Sequence, residues 1–445
     1  MRSFHLVSLG CAKNMVDSEM IIGGLTKAGW VFAEEPDKAR VLLLNTCGFI
    51  QPAVEEAIDE ILGLASIKAE HPGQKLVVVG CLVQRYADSL PAELPEVDLF
   101  IGTEGCHDMA ARLEQLIGGE GAAPAAVQLP ERFIMDSSMP RILTTPPFRA
   151  WFKITEGCDN RCSYCMIPSI RGDLRSRPMK DLVREAVSLE EKGVRELSFI
   201  AQDITAYGDD LDRDTHLTGL LEQVLAATSI PWLRLLYLYP NGITDGLLEL
   251  MAANPRIVPY LDIPFQHVST SVLHRMNRRY TTEDLYRLVE RIRHYLPDVA
   301  LRTTFLVGFP GETEADVEQL MAFMRDARLD HVGVFPYANE EGAPSEHFPN
   351  QVEEEEKIAR RDRVLTLQAE LSEAIQQKYV GRKELVLVEG LSKETDLLLE
   401  GRTRFQAPDV DGCVYINDGQ ASPGELVEVL ISDAQTYDLV GGIVG

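Results

Sequence analysis

The sequence predicts an α/β chain: an open parallel α/β sheet domain at the N-terminus, a central partial (β/α)6 barrel of the TIM-like kind, and a small all-β module at the C-terminus. Three observations carry that prediction. Apolar, β-rich runs alternate with helical spacing over residues 1–117 and again over 148–376, and strands alternating with helices build parallel sheets. Between them, residues 118–147 hold the strings GGEGAAPAAVQLP and SMPRILTTPP, rich in Gly, Ala and Pro and poor in periodicity, which read as a linker. Over 377–445 helical spacing ends, and short strands follow one another between Gly, Pro and Asp turns. The length of 445 residues agrees with about three domains.

In chain order, FHLVSLG reads as a strand and VDSEMIIGGLTKAG as a helix; ARVLLLNTC and KLVVVGC are strands of the fully buried type, separated by the helix AVEEAIDEILGLASIKAE. Cys11, Cys47 and Cys81 each fall at or just past the C-terminal end of one of these strands. In an open parallel sheet they would share the edge where ligands bind. The central unit offers six strands, RAWFKIT, ELSFIAQ, LRLLYLY, YLDIPFQ, ALRTTFLV and HVGVFPYA. Six units suit a partial barrel with its chemistry at the strand C-termini, and they also suit a doubly wound sheet; periodicity does not decide. EEEEKIARRDRVLTLQAELSEAIQQKY closes the unit as a long charged helix, whose acidic start suits the positive end of the helix dipole. KELVLVE, LLLEGRT, CVYIN and ELVEVLIS are the strands of the last module.

Lys and Arg number 43 against 69 Asp and Glu, a formal charge of −26. That balance speaks against affinity built on coating nucleic-acid phosphates and allows a basic protein partner. The last module repeats it, with six basic and twelve acidic side chains from Lys378 onward. Hydrophobic residues at 45% exclude wholesale disorder. No apolar run approaches the roughly 20 residues that span a bilayer, and the start MRSFHLVSLGC lacks a signal-peptide pattern. A cytoplasmic chain without membrane attachment is expected, with its eight cysteines reduced.

Clustered, reduced cysteines point to metal or catalysis. Cys158, Cys162 and Cys165 lie in EGCDNRCSYCMIP, straight after the first strand of the barrel-like unit. Three thiolates on a short loop can hold three irons of a cubane and leave the fourth open. A closed zinc site would need a fourth nearby ligand, and the loop offers no fourth Cys and no His. The C-x3-C-x2-C spacing resembles that of the radical S-adenosylmethionine superfamily, and Tyr164 matches the aromatic that usually precedes the third Cys. The resemblance implies a [4Fe-4S] cluster on Cys158, Cys162 and Cys165 whose free iron chelates S-adenosylmethionine. It also implies cofactor contacts from Tyr164 and from Gln202, at the end of the second strand.

LGCAKNMVDSE, NTCGF and VGCLVQRY, around Cys11, Cys47 and Cys81, resemble the N-terminal domain of the methylthiotransferases, a radical S-adenosylmethionine family. The resemblance covers essentially the whole chain, since that family ends in a TRAM-type, OB-like barrel. It implies a second, auxiliary [4Fe-4S] cluster on Cys11, Cys47 and Cys81; without it, three buried small hydrophobes at strand ends remain an alternative. LGCAKNMVDSE, IPSIRGDLRSRP and FIAQDITAYG are more similar to the branch that modifies an aspartyl β-carbon of small-subunit ribosomal protein number twelve than to the tRNA-adenosine branch. The implied partners are that basic ribosomal protein and an electron-donating reductase, with no strong nucleic-acid binding. Methylthiolation of tRNA adenosine and a structural-metal binding module are the alternatives.

Several other residues invite a role. Arg171, Arg175 and Arg177 follow the cysteine loop and suit either structural ion pairs or a substrate carboxylate. Gln202 and Asp203, Gln266 and His267, and Arg302 and Thr303 lie at or near strand ends where they could line a cavity. The Gly308–Glu312 string lacks the Lys and spacing of a P-loop and reads as a turn near the nucleoside. Cys106 and Cys413 fit neither set and read as structural.

Overall fold

A computed structural model describes residues 2–118 and 133–444, so the first part of the expected linker lies outside the described residues. Five strands form the N-terminal sheet: β1 (Ser3–Ser8), β2 (Val31–Phe32), β3 (Val41–Thr46), β4 (Lys75–Gly80) and β5 (Leu99–Ile101). All pairs are parallel and the order is β2-β1-β3-β4-β5. The order reverses between β1 and β3, which opens a crevice at their C-terminal ends. Strand β3 is buried along its whole length because helices cover both faces. On one face Val41 and Leu43 meet Ile21 and Leu25 of helix α1 (Ala12–Lys27). On the other, Leu42 and Leu44 meet Ala57 and Ile61 of helix α2 (Gln51–Glu70). The strands β2 and β5 escaped the sequence reading because two or three residues are too few to show alternation.

The central unit starts with β6 (Arg149–Lys153) and a small hairpin, β7 (Thr155–Glu156) with β8 (Arg175–Ser176), that brackets the cysteine loop. Its main sheet continues with β9 (Glu196–Ile200), β10 (Trp232–Leu235), β11 (Ile257–Asp262), β12 (Ala300–Val307) and β13 (His331–Pro336). The order β13-β12-β11-β10-β9-β6 follows the chain without reversal, and every pair is parallel. A doubly wound sheet requires a reversal; its absence makes this an open six-stranded barrel wound in one direction. Period-two alternation then separates the two faces. Phe152, Leu197, Phe199, Leu233 and Leu301 pack under the helices, while Trp151, Trp232, Val258 and Tyr260 face inward with side chains of the C-terminal barrel and of α1.

That C-terminal barrel is closed, with strands β14 (Lys383–Leu391), β15 (Leu399–Thr403), β16 (Val414–Asp418), β17 (Leu426–Ala434) and β18 (Leu439–Ile443) in the order β14-β15-β16-β18-β17. The sequence reading named four of them; β18 was missed because its two glycines dilute the apolar pattern. The barrel fills the N-terminal end of the central one. Glu196, at the start of β9, is fully buried and accepts from Arg402 and Arg234, each at 2.6 Å. Nearby, Asp411 accepts from the Tyr260 hydroxyl at 2.7 Å. The helix Glu354–Gln376 links the two barrels, and its Ser372 hydroxyl reaches the Thr436 carbonyl at 2.5 Å. Among the described residues, no helix is long and apolar enough to cross a membrane.

Burial alone would raise the Glu196 carboxyl, but the Arg402 and Arg234 guanidiniums overcome it and hold it at about 2. A depressed carboxyl contributes stability above its unfolded value of about 4.3 and loses it as pH falls toward 2. Glu196→Gln should therefore destabilise the protein at pH 7 by about 3–5 kcal/mol, since it leaves buried Arg234 without an anion and Arg402 with Glu389 alone. It should also flatten the acid limb of stability between pH 5 and 2, as followed by chemical denaturation. A variant with an unchanged acid limb would show that Glu196 does not hold the two barrels together.

Candidate functional site

The end of the central barrel opposite the C-terminal module holds a cavity of about 350 Å³. All six cysteines of the two sets lie on its lining. One wall is the loop between β7 and β8. Gly157 opens it in the left-handed region at φ 71°, where a Cβ would meet the Asp173 carbonyl at 1.9 Å, so the tight entry requires glycine. Backbone bonds pin the rest: Cys158 N–H to the Gly172 carbonyl at 3.1 Å, Cys165 N–H to the Cys162 carbonyl at 3.1 Å, and Ser163 N–H to the Met276 carbonyl at 3.0 Å. The Ile167 N–H points at the Cys165 sulfur at 3.4 Å.

The facing wall is the edge of the N-terminal sheet. Cys11 precedes α1, Cys47 follows β3, and Cys81 opens the short helix α3 (Cys81–Arg85) after β4. Gly80 stands at φ 109°, and a Cβ there would lie 2.5 Å from the Asn45 side-chain oxygen. Tight packing of neighbouring strand ends thus places the second thiol set.

The two walls are joined by buried charge. Asp17, on α1, accepts from Lys153 at 2.5 Å and from Arg171 at 2.8 Å. Glu156 accepts from the same two cations, at 3.1 and 3.3 Å. Arg171 also donates to the Asn14 side-chain oxygen at 2.5 Å and lies 3.3 Å from the Cys81 sulfur. A second clamp uses the described part of the linker, where Arg141 pairs with Glu19 of α1 and with Glu185, each at 2.7 Å. At Gly23 the linker passes so close that a Cβ would meet the Pro140 carbonyl at 2.4 Å.

Burial pushes the Cys158 thiol up to about 11 and the Cys81 and Cys165 thiols up to about 12. Cys47 is raised by burial as well. Cys11 differs: burial opposes its thiolate, yet the Lys13 ammonium and the Asn14 backbone N–H bring it below the ordinary thiol value. Thiols of this kind release protons when a metal takes them as thiolates. Among the described residues no three His, Cys, Asp or Glu side chains converge on one ion, and no histidine lies on the cavity lining. The lining thus offers neither thiol set a histidine as the fourth ligand of a closed zinc site. A cubane takes one thiolate per iron, and each set supplies three.

Three family models match the chain: the radical SAM superfamily over residues 152–324, the uncharacterized protein family UPF0004 over 3–102, and the TRAM domain over 380–444. The ribosomal protein uS12 methylthiotransferase RimO of Desulfotalea psychrophila is 62% identical over 441 residues, which is 99% of both chains. The protein of that name from Syntrophus aciditrophicus is 46% identical, covering 99% of this chain and 98% of its own. The chain belongs to the ribosomal protein uS12 methylthiotransferase family. An iron–sulfur cluster and S-adenosylmethionine follow from its radical SAM domain. Among solved structures, the radical S-adenosylmethionine methyltransferase TsrM of Kitasatospora setae has a similar fold, with a TM-score of 0.57 at 15% identity over 88% of this chain and 79% of that one.

Within this family member, Tyr164, Gln202, Asp203 and Gln266 also face the cavity. Asp203 is already engaged by Asn160 at 2.8 Å and by the Thr205 backbone at 2.9 Å. Of the two roles open to the three arginines, ion pairing and carboxylate binding, the structure shows ion pairing. Arg171 faces the cavity but is committed to Asp17 and Glu156, Arg177 is buried on Asp181 and Glu185, and Arg175 lies near Glu104. His267, Arg302 and Thr303 are off the lining as well. His267 is buried beside Glu312, and Arg302 pairs with Asp262. The Gly308–Glu312 turn is off the lining itself, with Phe309 packed against Tyr164; the Glu312 carboxylate closes it by accepting from the Gly308 N–H at 2.9 Å and from Arg360 at 2.8 Å. Cys106 is buried among the apolar residues under the N-terminal sheet, and Cys413 lies in the C-terminal barrel.

Lys13, Tyr237, Tyr239 and Arg278 line the cavity and were not anticipated. Lys13 carried a signal, standing two residues after Cys11. Arg278 carried none: it lies outside any motif, and the fold brings its guanidinium over Tyr239 and within 3.7 Å of the Cys162 sulfur.

Asp17→Asn should leave Lys153 and Arg171 with one anion between them. A loss of about 3–5 kcal/mol is expected, read as a lower denaturation midpoint. An unchanged midpoint would mean that this charge group does not join the N-terminal sheet to the barrel.

Proposed function

We infer that this protein inserts a methylthio group at the β-carbon of an aspartyl residue of ribosomal protein uS12, by radical chemistry on S-adenosylmethionine. The observation that carries this reading is the single cavity onto which both three-cysteine sets open. Replacing an unactivated C–H by C–S–CH3 needs a hydrogen-abstracting radical and a sulfur donor beside the same carbon. When bound, the [4Fe-4S] cluster on Cys158, Cys162 and Cys165 with S-adenosylmethionine supplies the radical and the methyl group, and a second [4Fe-4S] cluster on Cys11, Cys47 and Cys81 presents sulfur.

The chain's own residues hold and orient these parts. The pinned loop keeps the first thiol set rigid, and Tyr164 and Gln202 border the space left for S-adenosylmethionine. The Asp17 and Arg141 clamps set the distance between the two thiol sets. The units that do this are residues 1–117 for the auxiliary cluster, 148–376 for the radical chemistry and 377–445 as the TRAM module, joined by 118–147. An acidic chain of charge −26 favours a basic protein substrate over RNA. An electron-donating reductase is the further partner the chemistry requires.

Anaerobically reconstituted protein should carry about eight irons per chain. Substituting Cys158, Cys162 and Cys165 together by Ala should halve the iron and abolish 5′-deoxyadenosine formation. Substituting Cys11, Cys47 and Cys81 should also halve the iron and stop sulfur insertion while 5′-deoxyadenosine still forms. Incubation under reducing conditions with a uS12 peptide, and separately with tRNA, should add one methylthio group to the peptide. Addition to tRNA alone would overturn the substrate assignment.

A further inference from the structure

We propose that Lys13 is the substrate-binding residue that receives the carboxylate of the aspartyl side chain. This deepens the uS12 reading and rests on it. Three cations stand on the cavity lining: Lys13, Arg171 and Arg278. Arg171 is committed to Asp17 and Glu156. Arg278 donates to the Pro264 carbonyl and stacks between Tyr239 and Tyr280. Lys13 is only 7% exposed, and its ammonium lies 3.4 Å from the centre of the Tyr237 ring. Among the described residues it has no carboxylate within ion-pair distance.

Lys13 sits in the first turn of α1, where the helix dipole disfavours positive charge, and that turn carries no acidic residue. A buried ammonium without an anion costs several kcal/mol unless something compensates it. The Tyr237 side chain and the neighbouring Cys11 sulfur offset part of this, and neither is a carboxylate. The nearest strong acid beyond it, Asp262, is taken up by Arg302 at 3.0 Å and by the Tyr237 backbone N–H at 3.2 Å. Tyr237 is itself held in the left-handed region at φ 63° at the mouth of the central barrel, so its ring and Lys13 meet from opposite walls.

An aspartyl carboxylate on Lys13 would be fixed one bond from the carbon that must lose hydrogen. Lys13 stands two residues after Cys11, so that carbon would be held on the sulfur-presenting side of the cavity. The arrangement explains how an acidic chain accepts an acidic side chain, since the local cation outweighs the distant, screened field. It also sets a preference for Asp over Asn, because the neutral amide cannot compensate the ammonium.

The test compares two uS12 peptides, one with the target Asp and one with Asn in its place. Their binding to cluster-loaded protein with S-adenosylmethionine and no reductant is measured by fluorescence anisotropy. The wild-type protein should prefer the Asp peptide by about ten- to a hundredfold. Lys13→Met, checked for wild-type iron content, should bind both peptides alike, and Lys13→Arg should restore part of the preference. Equal binding of the two peptides by the wild-type protein overturns the proposal without any variant. A retained preference in Lys13→Met overturns it as well. Failure of the wild-type protein to modify the Asp peptide under reducing conditions would instead remove the uS12 reading itself.

Discussion

Everything the cavity does depends on one buried group of charges: Asp17 and Glu156 against Lys153 and Arg171. The group is neutral overall, with two anions and two cations that are nearly excluded from solvent. Desolvating four such ions is expensive, and an apolar contact of equal volume would serve stability as well or better. Apolar contacts, however, slide. Charged hydrogen bonds with short, directed partners set position. Here they lock α1 to the strand that precedes the cysteine loop, and Arg171 carries the constraint onward to Asn14 and the Cys81 sulfur. Two thiol sets on separate domains thereby acquire one geometry.

The concave face of the central barrel follows the same logic at its other end. An open six-stranded barrel exposes an interior that must be filled. Trp151, Trp232 and Tyr260 fill it with help from the C-terminal module, and the Glu196–Arg402–Arg234 group seats that module. One end of the barrel is thus closed by protein and the other is left to chemistry, as strand direction requires in this class of fold.

The fold was largely legible in the sequence because its long strands are buried on both faces, or alternate cleanly, between clear turn signals. What stayed hidden was short or diluted: Val31–Phe32, Leu99–Ile101 and the glycine-containing Leu439–Ile443. Barrel and doubly wound sheet share one periodicity, and only the strand order separated them. The six cysteines that line the cavity stood out in two ways: Cys158, Cys162 and Cys165 by local spacing, and Cys11, Cys47 and Cys81 by strand-end placement together with the resemblance of their flanking strings. The three arginines stayed open between ion pairs and a substrate carboxylate, because charge near a strand end does not show which partner it will find. Arg177 found Asp181 one helical turn away, and Arg171 found Asp17 across a domain boundary. Lys13 with Tyr237 and Arg278 with Cys162 are pairs made only by the packing of distant segments.

The sharing of one cavity by two walls has a consequence for how the chain is made. Cys11, Cys47 and Cys81 leave the ribosome early, with the N-terminal sheet. The residues that cover them arrive later, out to Thr304 on the far side of the cavity. At about 5–20 residues per second, the roughly 220 residues from Cys81 to Thr304 take about 10–45 s to appear. Throughout that interval three thiols lack the facing wall that covers them in the finished fold. The order of synthesis thus makes one wall of the cavity wait for the other.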